Sequence, residues 1–325
     1  MPDAKRADAT GPGGPRPERL RLVVGIATAG RRDVVGAVAP LLAEQSRPPD
    51  LLLVSPAGAD DVDPAVLADL PFASTILRGA RGLTRQRNLI LDHAIARGGD
   101  VVAFLDDDFL LADDFLHEAE RLFRDDATVA VATGHVIADG IGGPGLSLSD
   151  ARRRLSSDRG TPDAPPTPAA PVAPVAPVAE VYNAYGCNMV VRLAPVRRHG
   201  LRFDEDLPFY GWLEDVDFSR RLAPHGRIVR SARLRGVHMG TKGGRSPGVR
   251  LGYSQIANPW HLASKGTMLA RRAARMALRN IAANILKAAR PEPWIDRRGR
   301  LKGNMLGLLD LARGRLAPGR VASLD

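Results

Sequence analysis

Residues 81–108 read RGLTRQRNLILDHAIARGGDVVAFLDDD, and this stretch decides the fold. Leu83, Ile90, Leu91, Ala94 and Ile95 fall on one face of a helix that Thr84 is placed to cap. A strand over residues 100–106 follows and runs straight into Asp106, Asp107 and Asp108. Helix followed by buried strand is the repeating unit of an α/β sheet. Three adjacent carboxylates repel one another, so something cationic must compensate. The residues alone leave three readings open: a solvated turn, a helix cap, or ligands to a hard divalent cation. Asp113 is better placed than any of the three to cap the next helix.

Outward from this stretch the same alternation continues. Apolar runs at 21–27, 50–55, 74–79 and 128–137 predict further strands. Asp33 is placed to cap a helix carrying Val34, Val35, Val38, Leu41 and Leu42, which Pro40 should kink or break. Phe115, Leu116, Ala119, Leu122 and Phe123 give another helix its core face. Such alternation predicts an α/β fold with a mostly parallel central sheet flanked by helices. Ligands of these sheets bind beyond the carboxyl ends of the strands. The aspartates lie at such an end.

Composition narrows the function. Aromatics make up only 5%, which argues against a base-stacking nucleic-acid platform. A single cysteine, Cys187, excludes an internal disulfide and a thiolate metal site. The first twenty residues have no apolar core and do not read as a secretory signal, and no apolar run is long enough to span a membrane. A cytoplasmic location is therefore expected. Residues 1–19 read as a disordered arm, and 156–180 as a Pro/Ala-rich insertion without a packed core. From residue 261 onward, fourteen Lys or Arg face four acids, so this segment's excess matches the net charge of +10 of the whole chain.

Motif order points to a family. The 81–108 stretch resembles the part of glycosyltransferase family 2 in which G-x-x-x-x-R-N precedes a helix, a strand and D-x-D, here Gly82, Arg87, Asn88, Asp106 and Asp108. YGCNMVVRLAPVRRHGLRFDEDLPFYGWLEDVDFSRRL, residues 185–222, resembles its G-x-N-M, G-F-D-E-x-L and E-D-x-D-x-x-x-R-L series. The matching residues there include Gly186, Asn188 and Met189, then Asp204 and Glu205, then Glu214, Asp215, Asp217 and Arg221. RGVHMG supplies His238, where the family often has a histidine after its last core strand.

The resemblance implies a GT-A fold over residues 20–245, followed by a basic helical extension over 246–325. It implies inverting transfer of a sugar from a nucleotide-diphosphate donor, with Mg²⁺ or Mn²⁺ as cofactor. Asp108 and Asp106 would hold the metal, with His238 completing its shell. Asp215 would be the catalytic base, with Glu214 close to the acceptor. Thr28, Arg31, Arg87, Asn88 and Asp106 would meet the donor, and Tyr210, Trp212 and Asn188 the acceptor. Lys242 and Arg245 are candidates to close over the diphosphate. One departure concerns the base: Ser55 and Pro56 stand where the family usually has aspartates, with Asp60 and Asp61 as the nearby acids.

The acceptor is expected to be a carbohydrate or a lipid-linked sugar, as in polysaccharide, glycolipid or glycoconjugate synthesis. The basic extension suits peripheral contact with an anionic membrane on its cytoplasmic face, and no nucleic-acid partner is expected. Leu269, Ala273, Met276, Ala277, Ile281, Ile285 and Ala288 approximate one apolar helical face there. Two other classes are compatible with the aspartates: a nucleotidyltransferase-like enzyme, and a non-catalytic nucleotide-sugar-binding, membrane-associated protein.

Overall fold

A computed structural model describes residues 19–79, 81–158, 178–244 and 246–324. The N-terminal arm to residue 18, the bulk of the Pro/Ala-rich insertion (159–177) and Arg245 lie outside the described residues.

Strand β1 (Leu22–Thr28) is followed by helix α1 (Arg32–Val38), which tightens into a 3₁₀ turn at Ala39–Glu44, where Pro40 stands. Next come β2 (Leu51–Pro56), a short α2 (Pro64–Ala68), β3 (Ala73–Ile76), α3 (Leu83–Ala96) and β4 (Val101–Asp106). These strands form the parallel part of the sheet, in the order β3-β2-β1-β4. The runs at 21–27, 50–55 and 100–106 are the buried strands β1, β2 and β4, covered on both faces, while the edge strand β3 is partly exposed.

Beyond β4 lie β5 (Phe109–Leu111), α4 (Phe115–Asp125), β6 (Val129–Asp139) and α5 (Leu148–Ser157). They are followed by β7 (Val178–Glu180), β8 (Asn188–Arg192), α6 (Leu193–His199), α7 (Glu214–Leu222) and the long β9 (Arg227–His238). Here the sheet continues β4-β8-β6-β9-β5, with β8 antiparallel to both β4 and β6, and β7 also paired to β9. Two apolar layers close its faces. Val24, Ile26 and Leu105 pack with Phe115 and Phe123 of α4, while Val23 and Phe104 pack with Ile90 and Leu91 of α3 and Phe218 of α7.

Three capping expectations do not hold. Gly82, at φ 110°, takes the N-cap of α3, and the Thr84 hydroxyl instead donates to the Leu207 carbonyl. Arg31 and Asp114, not Asp33 and Asp113, occupy the N-caps of α1 and α4, and neither caps through its side chain.

The extension forms α8 (Gly248–Ser264), α9 (Ala270–Lys287) and α10 (Arg297–Ala312). α8 and α10 meet at glycines: a Cβ on Gly252 would stand 2.0 Å from the Arg300 carbonyl oxygen. Among the described residues no helix is long and apolar enough to cross a membrane.

Candidate active site

Each of the three aspartates at the end of β4 has its own compensating partner. Asp106 accepts from Arg87 Nη2 at 3.1 Å. Asp107 accepts Thr28 Oγ1 at 2.6 Å and Arg31 Nη1 at 2.8 Å. Asp108 Oδ2 accepts the Thr241 N–H at 2.6 Å, while its Oδ1 faces His238 Nε2 at 3.3 Å. Burial dominates at Asp107 and pushes it up to about 6 against the pull of Arg31. At Asp108 burial works the same way, but His238, Arg31 and the Thr241 N–H together draw it down to about 2.

Asp106, Asp108 and His238 form a ligand set. One atom from each lies within 4.8 Å of the others. Asp108 Oδ1 is buried and, apart from the His238 ring 3.3 Å away, meets no donor, as suits an atom facing a cation. His238 Nδ1 is held by Asp139 Oδ1 at 2.9 Å, which fixes the ring with Nε2 toward the aspartates. Burial opposes a charge on His238, yet Asp108, Asp139 and Asp106 lift its pKa to about 10. The two carboxylates fit Mn²⁺ or Mg²⁺, and the His238 ring can join them on loss of its Nε2 proton.

A second acidic group stands at the start of α7. The chain enters it through a strained turn, with Phe209 (φ 56°) and Leu213 (φ 76°) in the left-handed region. Such residues cost about 1–3 kcal/mol each and cluster at functional sites. Glu214 is buried; its Oε1 accepts Arg87 Nη1 at 2.7 Å and its Oε2 has no partner. Burial pushes Glu214 up to about 8, against the opposing pull of Arg87. Asp215 is partly exposed, and its two oxygens accept the N–H groups of Gly186 (3.0 Å) and Val216 (2.8 Å). Burial raises its pKa as well.

A cleft of about 280 Å³ runs from Asp106 past Thr28 and Arg31 to Tyr210. The other residues expected at the site divide into two sets. Arg87 is buried beneath it, with Nη2 also donating to the Gly186 carbonyl at 2.7 Å. Arg31 lines the cleft, but Nε and Nη2 hold the Gly243 and Thr241 carbonyls. Asn88 clamps Phe203 and Glu205, away from the cleft wall. Asn188 is fully buried; its Oδ1 accepts Thr133 Oγ1 and the Gly134 N–H, and its Nδ2 has no partner. Trp212 lies in a small adjoining recess with Tyr210. Lys242 donates to the Gly140 and Ile141 carbonyls.

The cleft also has walls that the motifs did not indicate. Gln86 Nε2 ties the Thr28 and Ser55 carbonyls together at 3.0 and 2.5 Å. Arg250, from α8, lines the cleft and stacks on Phe209. Its neighbours in sequence carry no motif, and only the fold brings it there. At the end near Ala57, Ser55 Oγ is turned to the Leu77 carbonyl, and Asp61 accepts the Gly30 and Gly58 N–H groups. Asp61 therefore shapes a turn, and Asp60 is exposed.

Neither a family model nor a curated protein matches the sequence. Solved structures do. The mannosyltransferase PcManGT from Pyrobaculum calidifontis, in complex with GDP-Man and Mn²⁺, matches over 94% of this chain and 86% of its own, at 16% identity and a TM-score of 0.51. S. aureus TarS matches over 74% of this chain at 18% identity and a TM-score of 0.45, and this chain spans 40% of the length of TarS. TarS residues 1–349 in complex with UDP-GlcNAc match over 75% of this chain and 67% of their own, at 15% identity and a TM-score of 0.48. The likeness to the mannosyltransferase establishes the architecture: a mixed α/β fold of the GT-A type, with flanking helices.

Proposed function

We propose that this protein is a metal-dependent, inverting glycosyltransferase resembling family 2, with residues 20–245 as its catalytic unit. It moves a sugar from a nucleotide-diphosphate donor to a hydroxyl of a carbohydrate or lipid-linked acceptor. One observation carries this reading: Asp106, which lines the cleft and belongs to the Asp106–Asp108–His238 ligand set, is joined through Arg87 to Glu214, the neighbour of Asp215 and over a hundred residues from Asp106 in sequence.

Asp108, Asp106 and His238 hold the divalent cation. When bound, it acts as a Lewis acid on the negative charge that grows on the leaving diphosphate. The cleft between Thr28 and Tyr210 takes the donor. Asp215 removes the acceptor's hydroxyl proton as the oxygen bonds to the anomeric carbon and the bond from that carbon to the diphosphate breaks. Two backbone N–H groups fix the Asp215 carboxylate, and its raised pKa brings it nearer to working pH. Arg87 keeps the two acidic groups at a set separation, and Tyr210 offers an aromatic face at the acceptor end.

The test is incubation with a panel of nucleotide sugars and acceptors with and without Mn²⁺, followed by analysis of the released nucleotide. Free nucleoside diphosphate that depends on Mn²⁺ is expected. Pyrophosphate would instead identify a nucleotidyltransferase. Binding without turnover of any donor would leave a non-catalytic nucleotide-sugar-binding protein.

A further inference from the structure

The helical extension is built inside out. Of the eleven large hydrophobic side chains exposed among the described residues, nine lie between Trp260 and Leu309. Leu286 is 80% exposed, Leu278 65%, Met305 58% and Ile285 55%. The apolar face read from the sequence of α9 packs only in part: Ala273 is buried with Met276 against it, Ala277, Ile281 and Ala288 are half-buried, and Leu269 and Ile285 are exposed.

The exposed residues follow helical spacing. On α9, Ala274, Leu278, Ala282 and Ile285 form one outward stripe, with exposed Arg271, Arg275 and Arg279 close to it. On α10, Arg298, Lys302, Met305, Leu309 and Ala312 recur at i, i+4, i+7, i+11 and i+14, and all are exposed. The fully buried positions are small or polar: Ala273 and Asn284 of α9, and Gly303, Asn304, Gly307 and Asp310 of α10. An ordinary surface helix has the reverse arrangement. Arg271, Arg275 and Arg279 have no carboxylate partner among the described residues.

We propose that the outward face of α9 and α10 docks on an anionic lipid surface. Its partner must accept apolar side chains and cations together, and a leaflet of anionic lipid does both, through acyl chains just below its charged headgroups. A second copy of the chain fits less well, because a symmetric pair would set the seven excess positive charges of residues 270–312 against themselves. Neither helix is apolar enough to span a bilayer, so contact is confined to the interface. Docking and sugar transfer are separable, and either can fail without the other.

The experiment is co-sedimentation of the full chain with vesicles of phosphatidylcholine, alone or mixed with phosphatidylglycerol, at low and high salt. Pelleting with the mixed vesicles at low salt is expected, falling at least about tenfold with neutral vesicles or high salt. Two variants probe the two components: Leu278→Ser with Leu286→Ser and Met305→Ser, and Arg271→Glu with Arg275→Glu and Arg279→Glu. Both alter exposed side chains only, and circular dichroism checks that each is folded. Each should lose pelleting. The proposal is overturned if the parent fails to pellet, pellets equally with neutral vesicles, or pellets unchanged in the apolar variant. A dimer in light scattering that the apolar variant dissociates would also overturn it and assign the face to a second copy.

Discussion

Arg87 Nη1 stands 2.7 Å from Glu214 Oε1, and Nη2 of the same guanidinium reaches Asp106 at 3.1 Å and the Gly186 carbonyl at 2.7 Å. One buried cation thereby joins α3, the end of β4, the approach to β8 and the start of α7. Arg87→Met leaves the buried Glu214 Oε1 and the Gly186 carbonyl without their donor, and a loss of about 1–3 kcal/mol is expected in urea unfolding. Arg87→Lys should recover only part of it, since an ammonium lacks the planar fork that spans these oxygens. A Met variant as stable as the parent would show that the bridge has no energetic weight.

The stability of the protein should fall as pH rises through the Glu214 window. Burial moves this carboxyl from its ordinary 4.5 to about 8 in the folded chain. Between those values the folded state keeps a proton that the unfolded state has released, so raising pH favours unfolding. Glu214→Gln cannot titrate. Its melting temperature should vary less than the parent's over this range, and parallel profiles for the two proteins would argue against the shift.

Metal binding is measurable without turnover. A ligand that binds only the native state raises its melting temperature by mass action. Mn²⁺ should stabilise the parent, and Asp108→Asn should abolish the effect while remaining folded. An equal response in the variant would remove Asp108 from the ligand set.

Asp215→Asn should lower kcat by about 10²–10⁴-fold, as expected for loss of a general base. Mn²⁺-dependent stabilisation should remain, because Asp215 stands outside the ligand set. In the parent, kcat/KM should rise with pH through a midpoint above the ordinary aspartate range, in the direction that burial moves this group. Undiminished turnover in Asp215→Asn would exclude it as the base.

The extension should contribute to the stability of the catalytic half. Asp217 of α7 is fully buried and accepts Thr267 Oγ1 at 2.7 Å and Lys265 Nζ at 3.0 Å, both from the turn after α8. Lys265 also meets Asp204, so the Asp204–Asp206–His261 group is already served by an ammonium. Thr267→Val should cost about 1–3 kcal/mol, the usual effect of leaving a buried acceptor short of a donor. A double-mutant cycle with Asp217→Asn would show whether the two side chains are coupled.

The parts of the fold legible in the sequence were those written locally. Buried parallel strands read as apolar runs, and the acidic ends of β4 and α7 stood out within a few residues. Partnership was not legible. Arg31 and Arg87 follow motifs that suggest a donor, but their guanidinium groups hold protein oxygens, because the nearest carboxylates and carbonyls come from segments remote in sequence. β5 escaped notice because three residues are too few to show a period, and its partner β9 lies more than a hundred residues away. On α9, periodicity located the apolar residues but not their surroundings, since a helical stripe has the same spacing whether it meets a core or solvent.

The inward faces of the extension have a consequence of their own. Asn284 Nδ2 donates to Gln255 Oε1 and Asn304 Oδ1, and Asn304 Nδ2 donates to the Gly252 carbonyl. Helices packed only through aliphatic side chains tolerate small rotations, because one methyl contact resembles another. Amides do not, since each has fixed donors and acceptors. Turning α9 by a single residue would strand several buried polar atoms at once. The three helices are keyed to one another like wards in a lock, and the direction in which their outer residues point is set by the amides at their centre.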